Sequence, residues 1–291
     1  MNRPEITVIP CNPSMAGVAE VLPDVVFSTE TGVELKMQIL TPWRDPERET
    51  SIPRRPLIVF VQGSAWTFPN VYYELPQLGQ YAQAGYVVAT VTHRNCQQGH
   101  PYPAFLQDVK TAIRFLRKNA DVYGVDPDRV CVFGTSSGGN TALLVGLTED
   151  DPSLITGEHA GYGVGVQLVV ECFGPTDLVA MVRQRYTDEQ DQPGNLFHDL
   201  CGGKVAEHMD VMRAMSPCHR VAAGKTYPPF LIIHGDADPV VPYEQGLAIY
   251  DKLLAVGADA RMICVGGAPH EGPFWSQRLH GMILGYLNEK L

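Results

Sequence analysis

The hydrophobic pattern of the chain changes near residue 55. Before it, two strand-like stretches, 24–28 and 33–40, flank the turn-forming segment 29–32, and this arrangement predicts a hairpin. After it, short runs of consecutive apolar residues alternate with amphipathic segments. Such runs are typical of strands that are buried in a parallel sheet. They lie at 56–61, 86–91, 129–133, 166–172, 229–234 and 261–265, the third of them after an expected break at Asp126-Pro127.

The amphipathic segments between these runs predict helices. In the clearest one, apolar residues from Phe105 to Leu116 recur at helical spacing and lie on one face. Further helices are expected at 75–84, 140–145, 243–256 and 276–289. A hairpin followed by six strands that alternate with helices predicts an α/β fold, an eight-stranded, mostly parallel sheet with helices on both faces. The loosely patterned segment 177–221 follows the sixth strand and is expected to form a small cap insertion within a single domain, 1–291.

Composition narrows the classes of partner. The 291-residue chain is 45% hydrophobic and 19% charged, as expected for a globular protein that buries a core. Its net charge of −10, without any basic stretch, argues against nucleic acid and anionic membranes and favours neutral or weakly charged small molecules. No apolar segment reaches the roughly 18 residues that span a bilayer, so no membrane partner is expected.

The cysteines bear on the compartment. All seven lie far apart, and none forms a Cys-x-x-Cys pair, which favours free thiols over disulfides or a zinc cage. The segment 1–6 lacks the apolar core of a secretory signal. We therefore expect a cytoplasmic protein, although a secreted protein whose signal has been removed would look the same. The sequence leaves the oligomeric state open, with a homo-oligomer among the options.

The strongest chemical signal is the segment 134–139, which reads Gly-Thr-Ser-Ser-Gly-Gly. Its Gly-x-Ser-x-Gly pattern lies between a predicted strand and a predicted helix. In such a turn the serine is held on a tight corner with its hydroxyl above the sheet edge, and the flanking glycines avoid collisions that a Cβ would cause. Ser136 is therefore a candidate nucleophile. The plainer interpretation is an ordinary helix N-cap, a position that serine also favours.

Two later strand ends supply an acid and a base. Asp236 and Asp238 follow the seventh predicted strand, and His270 follows the eighth. The carboxyl ends of parallel strands meet at one edge of a sheet, so these side chains are expected to converge on Ser136. His270 would accept the serine proton, and Asp238 would orient the imidazole and stabilise its charged form. Asp236 competes for the role of Asp238 but lies nearer the strand end.

Backbone N–H groups are expected to stabilise the oxyanion of the transition state. One belongs to Ser137, at the start of the helix. The other should come from the loop after the third strand, from Ser64 or Ala65, where small side chains allow a close approach to substrate. Candidate substrate contacts are Gln62, Trp66, Phe274 and Trp275, and core packing is an equal alternative for the aromatic residues among them.

Several other polar groups carry a structural interpretation. His234 lies at a strand end, and Asp177 is expected to cap a helix. The group formed by His198, Asp199, Cys201 and His208 does not have the spacing of a zinc site. The glycines at 161, 163 and 165 precede a strand, so they do not form a dinucleotide-binding loop. No metal and no cofactor are predicted.

With these residues identified, the chain resembles α/β-hydrolases of the esterase/lipase kind. It is similar to the hormone-sensitive-lipase-like carboxylesterases, and more particularly to bacterial bifunctional feruloyl/acetyl-xylan esterases. The family's oxyanion loop commonly reads His-Gly-Gly-Gly-Trp, whereas 62–66 here reads Gln-Gly-Ser-Ala-Trp, a departure that argues against bulky tertiary-alcohol esters. The likeness covers about 23–291 and rests on 92–94, 103–104, 108–109, 112–116, 123–129, 173–178, 216–217 and 229–235.

The resemblance implies a serine carboxylesterase without a cofactor. It would hydrolyse short-acyl or hydroxycinnamoyl (feruloyl-type) esters, carbohydrate esters among them, through an acyl-enzyme on Ser136. Two alternatives remain. Serine peptidases of the prolyl-oligopeptidase kind share the Gly-Asp-x-Asp-x-x-Val-Pro pattern of 235–242, although the long N-terminal propeller expected for them is missing here. The third interpretation is a hydrolase fold used as a non-catalytic binding module.

Overall fold

A single sheet organises residues 6–44, 52–185 and 187–291, which are the residues that the computed structural model describes. Within them, eight strands have the order β1-β2-β4-β3-β5-β6-β7-β8. β1 pairs antiparallel with β2, β2 pairs antiparallel with β4, and the remaining neighbours are parallel. The predicted hairpin and mostly parallel sheet are thus confirmed. The bounds are β1 (Ala19–Ser28), β2 (Leu35–Pro42), β3 (Arg55–Val61), β4 (Val87–Val91), β5 (Val125–Thr135), β6 (Leu168–Cys172), β7 (Phe230–Gly235) and β8 (Ala260–Val265).

The expected break at Asp126-Pro127 lies inside β5 instead of before it. The partner of Arg55 is Val125, and pairing then resumes between Leu57 and Val130, so residues 126–129 interrupt the register. The Asp126 side chain accepts hydrogen bonds from the backbone N–H of Asp128 at 3.1 Å and from Nε of Arg129 at 2.7 Å. The turn-forming residues therefore make a local bulge that the strand absorbs.

Helices cover both faces of the sheet, as predicted. On one face, α2, α4 and α8 bury residues such as Phe105, Leu143 and Ile249, and on the other, α1 and α9 bury Tyr81 and Ile283. Within the described residues, no helix has the length and apolarity that a membrane crossing needs. The bounds are α1 (Leu75–Gln83), α2 (Ala104–Lys118), α3 (Ala120–Tyr123), α4 (Ser137–Leu147), α5 (Leu178–Arg185), α6 (Leu196–Cys201), α7 (Met209–Ala214), α8 (Glu244–Ala255) and α9 (Gln277–Lys290).

A chain of short helices, α5 to α7 with intervening 3₁₀ turns, connects β6 to β7. It is tied to the body of the fold through α4, because Nδ2 of the buried Asn140 donates to the carbonyls of Pro175 at 2.8 Å and Met215 at 2.9 Å. Asp177 caps α5, since its carboxylate accepts the backbone N–H of Ala180 at 2.9 Å. Leu178, Met181, Leu196 and Phe197 of this connection line one cavity together with Ser136, which directly follows β5.

Candidate active site

Ser136 occupies a strained corner between β5 and α4. Its backbone has φ 52° and ψ −123°, a region that L-residues rarely adopt. A Cβ on Gly134 would overlap the backbone of Gly138, and a Cβ on Gly138 would overlap the carbonyl of Val61. The Ser136 N–H donates to the Cys172 carbonyl at 2.8 Å, which joins the corner to β6. The glycines at both positions are therefore required by the close approach of β3, β5 and α4.

Ser136, His270 and Asp238 form a continuous hydrogen-bonded chain. Oγ of Ser136 lies 2.9 Å from Nε2 of His270, and Nδ1 of His270 lies 2.7 Å from Oδ2 of Asp238. The other carboxylate oxygen of Asp238 accepts the backbone N–H groups of Val240 at 2.8 Å and Val241 at 2.9 Å. A carboxylate on Nδ1 favours the tautomer with its proton there, which leaves Nε2 free to accept the serine proton. The structure thus brings together the three side chains that the sequence singled out.

Asp236 and His234 have different positions. The exposed Asp236 accepts the backbone N–H of Gly267 at 2.5 Å, so it links the loops after β7 and β8 without touching His270. His234 is fully buried, and its Nε2 donates to the Val241 carbonyl at 2.9 Å. Burial lowers the pKa of His234, which favours its neutral form. Both residues shape the loop that carries Asp238.

The loop after β3 favours one of the two oxyanion donors that the sequence left open. The Ser64 N–H donates to Oγ of Ser137 at 2.9 Å, so it is already engaged. The Ala65 N–H has no acceptor among the described residues, and Ala65 has a positive φ of 51°. Ser137 is the first residue of α4, so its N–H has no acceptor within the helix. The geometry therefore favours the N–H groups of Ala65 and Ser137 as oxyanion donors, because the Ser137 hydroxyl already accepts the Ser64 N–H. The sequence analysis did not use the Ser137 hydroxyl as a signal.

Gly63 sets how closely this loop approaches the nucleophile. A Cβ at Gly63 would lie 2.7 Å from the Cβ of Ser136. The Gly63 N–H is held by Oγ1 of Thr135 at 2.9 Å. On the far side of the loop, Oε1 of Gln62 accepts the backbone N–H of Asn70 at 2.5 Å. Gln62 was expected near substrate, but its side chain is buried in this contact and holds the loop together.

An apolar cavity of about 250 Å³ opens next to Ser136. Trp66 lines it, as expected for a substrate contact, and so do Ala65 and Ser137. Its opposite wall comes from the connection between β6 and β7. Sequence reasoning missed these residues, because the helices that carry them are too short to show a clear period. They are Leu178, Met181, Leu196 and Phe197.

The other two aromatic candidates lie away from this cavity. Phe274 is fully buried, and its ring packs edge-to-face on Phe173 at 4.7 Å, so it belongs to the core. Trp275 stacks on His280 with ring centroids 5.1 Å apart and lines a separate cavity of about 140 Å³. Phe274 is therefore packed in the core, whereas Trp275 is partly exposed and lines a cavity other than the one at Ser136.

Backbone strain concentrates around the candidate site. Of the eight non-glycine residues with positive φ in the described chain, five lie on its loops. Such strain persists only where the surrounding structure enforces it, and it is often found at functional sites. Phe173, which the sequence analysis did not single out, is one of them, and its ring packs against that of His270 at 4.6 Å. The five are Ala65, Trp66, Ser136, Phe173 and Glu271.

The polar side chains within 198–208 are not among the residues that line the cavity at Ser136. Nδ1 of His198 lies 3.0 Å from Oδ1 of Asp199, and the Asp199 carboxylate also accepts the N–H of Gly194 at 3.2 Å. In the part of the chain that the structure describes, no three histidine, cysteine or acidic side chains are grouped so that they could hold a metal ion.

The sequence of this chain is similar to those of known esterases. The sequence profile of the BD-FAE family matches residues 45–253. The chain is 32% identical over 221 residues to esterase LipC of Mycobacterium tuberculosis, an alignment that covers 75% of this chain and 53% of LipC. The chain spans about half the length of the curated relatives it matches.

Two solved structures are similar over nearly the whole chain. A truncated carbohydrate esterase from gut microbiota aligns with a TM-score of 0.74 and 27% identity, over 93% of this chain and 96% of that one. The thermophilic esterase Est2 of Thermogutta terrifontis, solved with propionate bound, aligns with a TM-score of 0.72 and 25% identity, over 95% and 96% of the two chains. The fold is therefore that of the α/β-hydrolases.

Proposed function

The chain belongs to the BD-FAE family, and we propose that it is a serine carboxylesterase that acts on short-acyl or hydroxycinnamoyl esters. The observation that carries the proposal is the chain of hydrogen bonds from Ser136 through His270 to Asp238, at 2.9 Å and 2.7 Å. These hydrogen-bonded side chains lie beside an apolar cavity and beside the N–H groups of Ala65 and Ser137, which can stabilise an oxyanion. A nucleophile, a base, an orienting acid and oxyanion donors are the parts that acyl transfer requires.

The first half of the reaction forms an acyl-enzyme. Oγ of Ser136 attacks the ester carbonyl carbon while Nε2 of His270 takes the hydroxyl proton, and the carbonyl electron pair moves onto oxygen. The N–H groups of Ala65 and Ser137 donate to that oxyanion, and Asp238 stabilises the imidazolium. When the tetrahedral intermediate collapses, the bond to the alcohol oxygen breaks and His270 donates its proton to the departing alkoxide.

The second half releases the acid. A water molecule enters where the alcohol has left, and Nε2 of His270 takes one of its protons as the oxygen attacks the acyl carbon. The same two N–H groups stabilise the second oxyanion. The bond from the acyl carbon to Oγ of Ser136 then breaks, and the proton returns from His270 to the serine. Every proton is carried by this chain's own residues.

The cavity supports a small acyl group. Its volume of about 250 Å³ lies below the roughly 300–1,000 Å³ of ordinary small-molecule pockets. Its walls include the aromatic rings of Trp66 and Phe197, which suit a hydroxycinnamoyl ring. The structurally related Est2 was solved with propionate bound, which supports a short acyl group. Another structural relative is a carbohydrate esterase, which supports a carbohydrate as the alcohol part of the substrate.

The connection after β6 has a part in this proposal. We propose that 177–221 is a cap over the cavity within a single domain, because Leu178 and Met181 of α5 form its wall. Tyr186 and the segments 1–5 and 45–51 lie outside the described residues.

All seven cysteines are free thiols, which supports a reducing compartment such as the cytoplasm.

A substrate panel tests the proposed function. Initial rates are measured with 4-nitrophenyl acetate, butyrate and dodecanoate, with methyl ferulate, with acetylated xylan, and with an anilide matched to the best ester. We expect the highest kcat/KM on acetyl, butyryl or feruloyl esters and much weaker turnover of the anilide. Activity confined to the dodecanoate would contradict the acyl preference, and turnover of the anilide alone would favour a peptidase.

Filling the cavity should change specificity rather than chemistry. Met181→Trp places an indole where the acyl chain would lie, so kcat/KM for methyl ferulate should fall by at least about tenfold, or ~1.4 kcal/mol, with a smaller loss for the acetate. Met282→Trp, at a residue of α9 that is 45% exposed, is the matched control and should behave like wild type. Equal losses for both esters in Met181→Trp would argue against this cavity as the acyl site.

A further inference from the structure

A glutamate that the mechanism above does not use is buried behind the nucleophile. Glu171 lies on β6, paired with Gly134 of β5 and Ile232 of β7, and it is fully buried. Its Oε2 accepts the backbone N–H of Gly174 at 2.9 Å. Its Oε1 has no hydrogen-bond partner among the described residues.

Two glycines make room for this carboxyl. A Cβ on Gly139 would lie 2.9 Å from Oε2 of Glu171, and one on Gly174 would lie 2.8 Å from it. The carboxyl therefore lies between the first turn of α4 and the turn that follows β6. The first turn of α4 supplies the Ser137 N–H, and the turn after β6 carries Phe173, whose ring packs on His270. Glu171 thus contacts the backbone that shapes two parts of the candidate site.

No cation compensates a charge at this position in the described part of the chain. Two titratable groups interact electrostatically with Glu171, namely Cys172 on its own strand and Cys218 from the short helix Pro217–His219, and His234 lies on β7 two residues beyond Ile232, the partner of Glu171. Burial raises the pKa of Cys218 to about 11, raises that of Cys172 well above its ordinary value, and lowers that of His234. All three are therefore uncharged in the neutral range.

A carboxylate buried without a counter-ion is costly, so such a group takes up a proton instead. Burial accordingly raises the pKa of Glu171 to about 8, against a smaller opposing effect of the Gly174 N–H. Two buried oxygen atoms, Oε1 of Glu171 and Oδ1 of Asn140, have no hydrogen-bond donor among the described residues. A proton on the Glu171 carboxyl would supply a donor at this place. Both residues adjoin Gly174.

We infer that Glu171 is a positioning residue that serves the oxyanion site only as a neutral carboxylic acid. The free N–H groups at the start of α4 carry a partial positive charge, and this charge stabilises the developing oxyanion. An ionised Glu171 against the same turn would repel the oxyanion through a medium of low dielectric. The neutral acid avoids this repulsion and still accepts the Gly174 N–H. The inference rests on the proposed function.

The test is the pH dependence of kcat for 4-nitrophenyl acetate from pH 6 to 10, corrected for spontaneous hydrolysis. In wild type, kcat should fall above about pH 8, to about a tenth of its plateau one unit above the pKa. Glu171→Gln, which is neutral at every pH, should keep its plateau to pH 10. Glu30→Gln, at an exposed turn residue, is the matched control and should follow wild type. An unchanged alkaline decline in Glu171→Gln, or a folded but inactive variant at pH 7, would overturn the inference.

A second measurement covers the case in which Glu171→Gln does not fold. Infrared difference spectra between pH 7 and 9.5 report the C=O stretch of a protonated carboxyl, and they are recorded in a Glu74→Gln background because burial raises the pKa of Glu74 to about 7. Loss of one such band as the pH rises supports the inference. Difference spectra in which no such band is lost contradict it. A wild type without esterase activity at pH 7 would defeat the proposed function alone, since the infrared result does not depend on turnover.

Discussion

Ser136→Ala should reduce kcat for 4-nitrophenyl esters by about 10⁶-fold and leave only the residual rate that substrate binding and the oxyanion donors can supply. Alanine removes Oγ, so no acyl-enzyme can form, while the remaining side chain leaves His270 and Asp238 in place. Alanine also keeps a Cβ at the strained φ of 52°, so the turn has no new reason to rearrange. The measurement is a pre-steady-state trace of 4-nitrophenolate, in which the burst of wild type should disappear.

The control for this variant separates loss of chemistry from loss of fold. Ser14→Ala, at an exposed residue of the amino-terminal segment, should retain wild-type turnover. Thermal denaturation of Ser136→Ala should give a midpoint within a few degrees of wild type, the shift expected for a change of less than about 1 kcal/mol. A folded Ser136→Ala protein that still shows the burst would contradict the assignment of the nucleophile.

Asp238→Asn should lower kcat by about 10⁴-fold, the second largest effect that we expect. The carboxylate accepts the Nδ1 proton of His270 at 2.7 Å. An amide nitrogen in its place would favour the opposite tautomer, in which Nε2 carries the proton and cannot accept that of Ser136. The amide oxygen can still accept the N–H groups of Val240 and Val241, which fixes the amide nitrogen on the side that faces His270. Steady-state kcat and KM show whether the loss falls on kcat, as it should.

Asp236→Asn is the matched control, and it decides between the two acids that the sequence offered. Asp236 is exposed and holds only the Gly267 N–H, so its loss should change kcat by no more than about threefold, as for a surface substitution away from the site. A large loss in Asp236→Asn together with a mild effect in Asp238→Asn would reverse the assignment of the orienting acid.

The central strands of the sheet could be predicted because they are buried on both faces. Such strands need continuous apolar residues, and the runs at 56–61 and 229–234 correspond to β3 and β7 within one residue at each end. The start of β5 could not be predicted, because Asp126-Pro127 has the composition of a strand break. Only the pairing of Arg55 with Val125 shows that the strand continues through this turn.

Ser136, Asp238 and His270 could be placed in one site from the sequence, since parallel strands bring their carboxyl ends to the same edge. The oxyanion donor could not, because it depends on a tertiary hydrogen bond. Oγ of Ser137 takes the Ser64 N–H, and no local pattern around residue 64 reports that contact.

The aromatic residues show the same limit. Trp66 and Phe274 both lie on loops at the active edge, yet one lines the cavity and the other is packed in the core. The difference arises from packing partners far away in the chain, such as Phe173 against Phe274. Leu178 and Met181 were missed for a related reason, because a helix of eight residues gives too little periodicity to show which face it buries.

The most direct test of the central claim is covalent labelling of the folded protein with a fluorophosphonate, followed by peptide mapping by mass spectrometry. Such reagents phosphonylate an activated serine hydroxyl. We expect one label per chain, located on Ser136, absent from Ser136→Ala and formed much more slowly in Asp238→Asn. A protein that hydrolyses esters but carries no label, or carries it on another residue, would contradict the account.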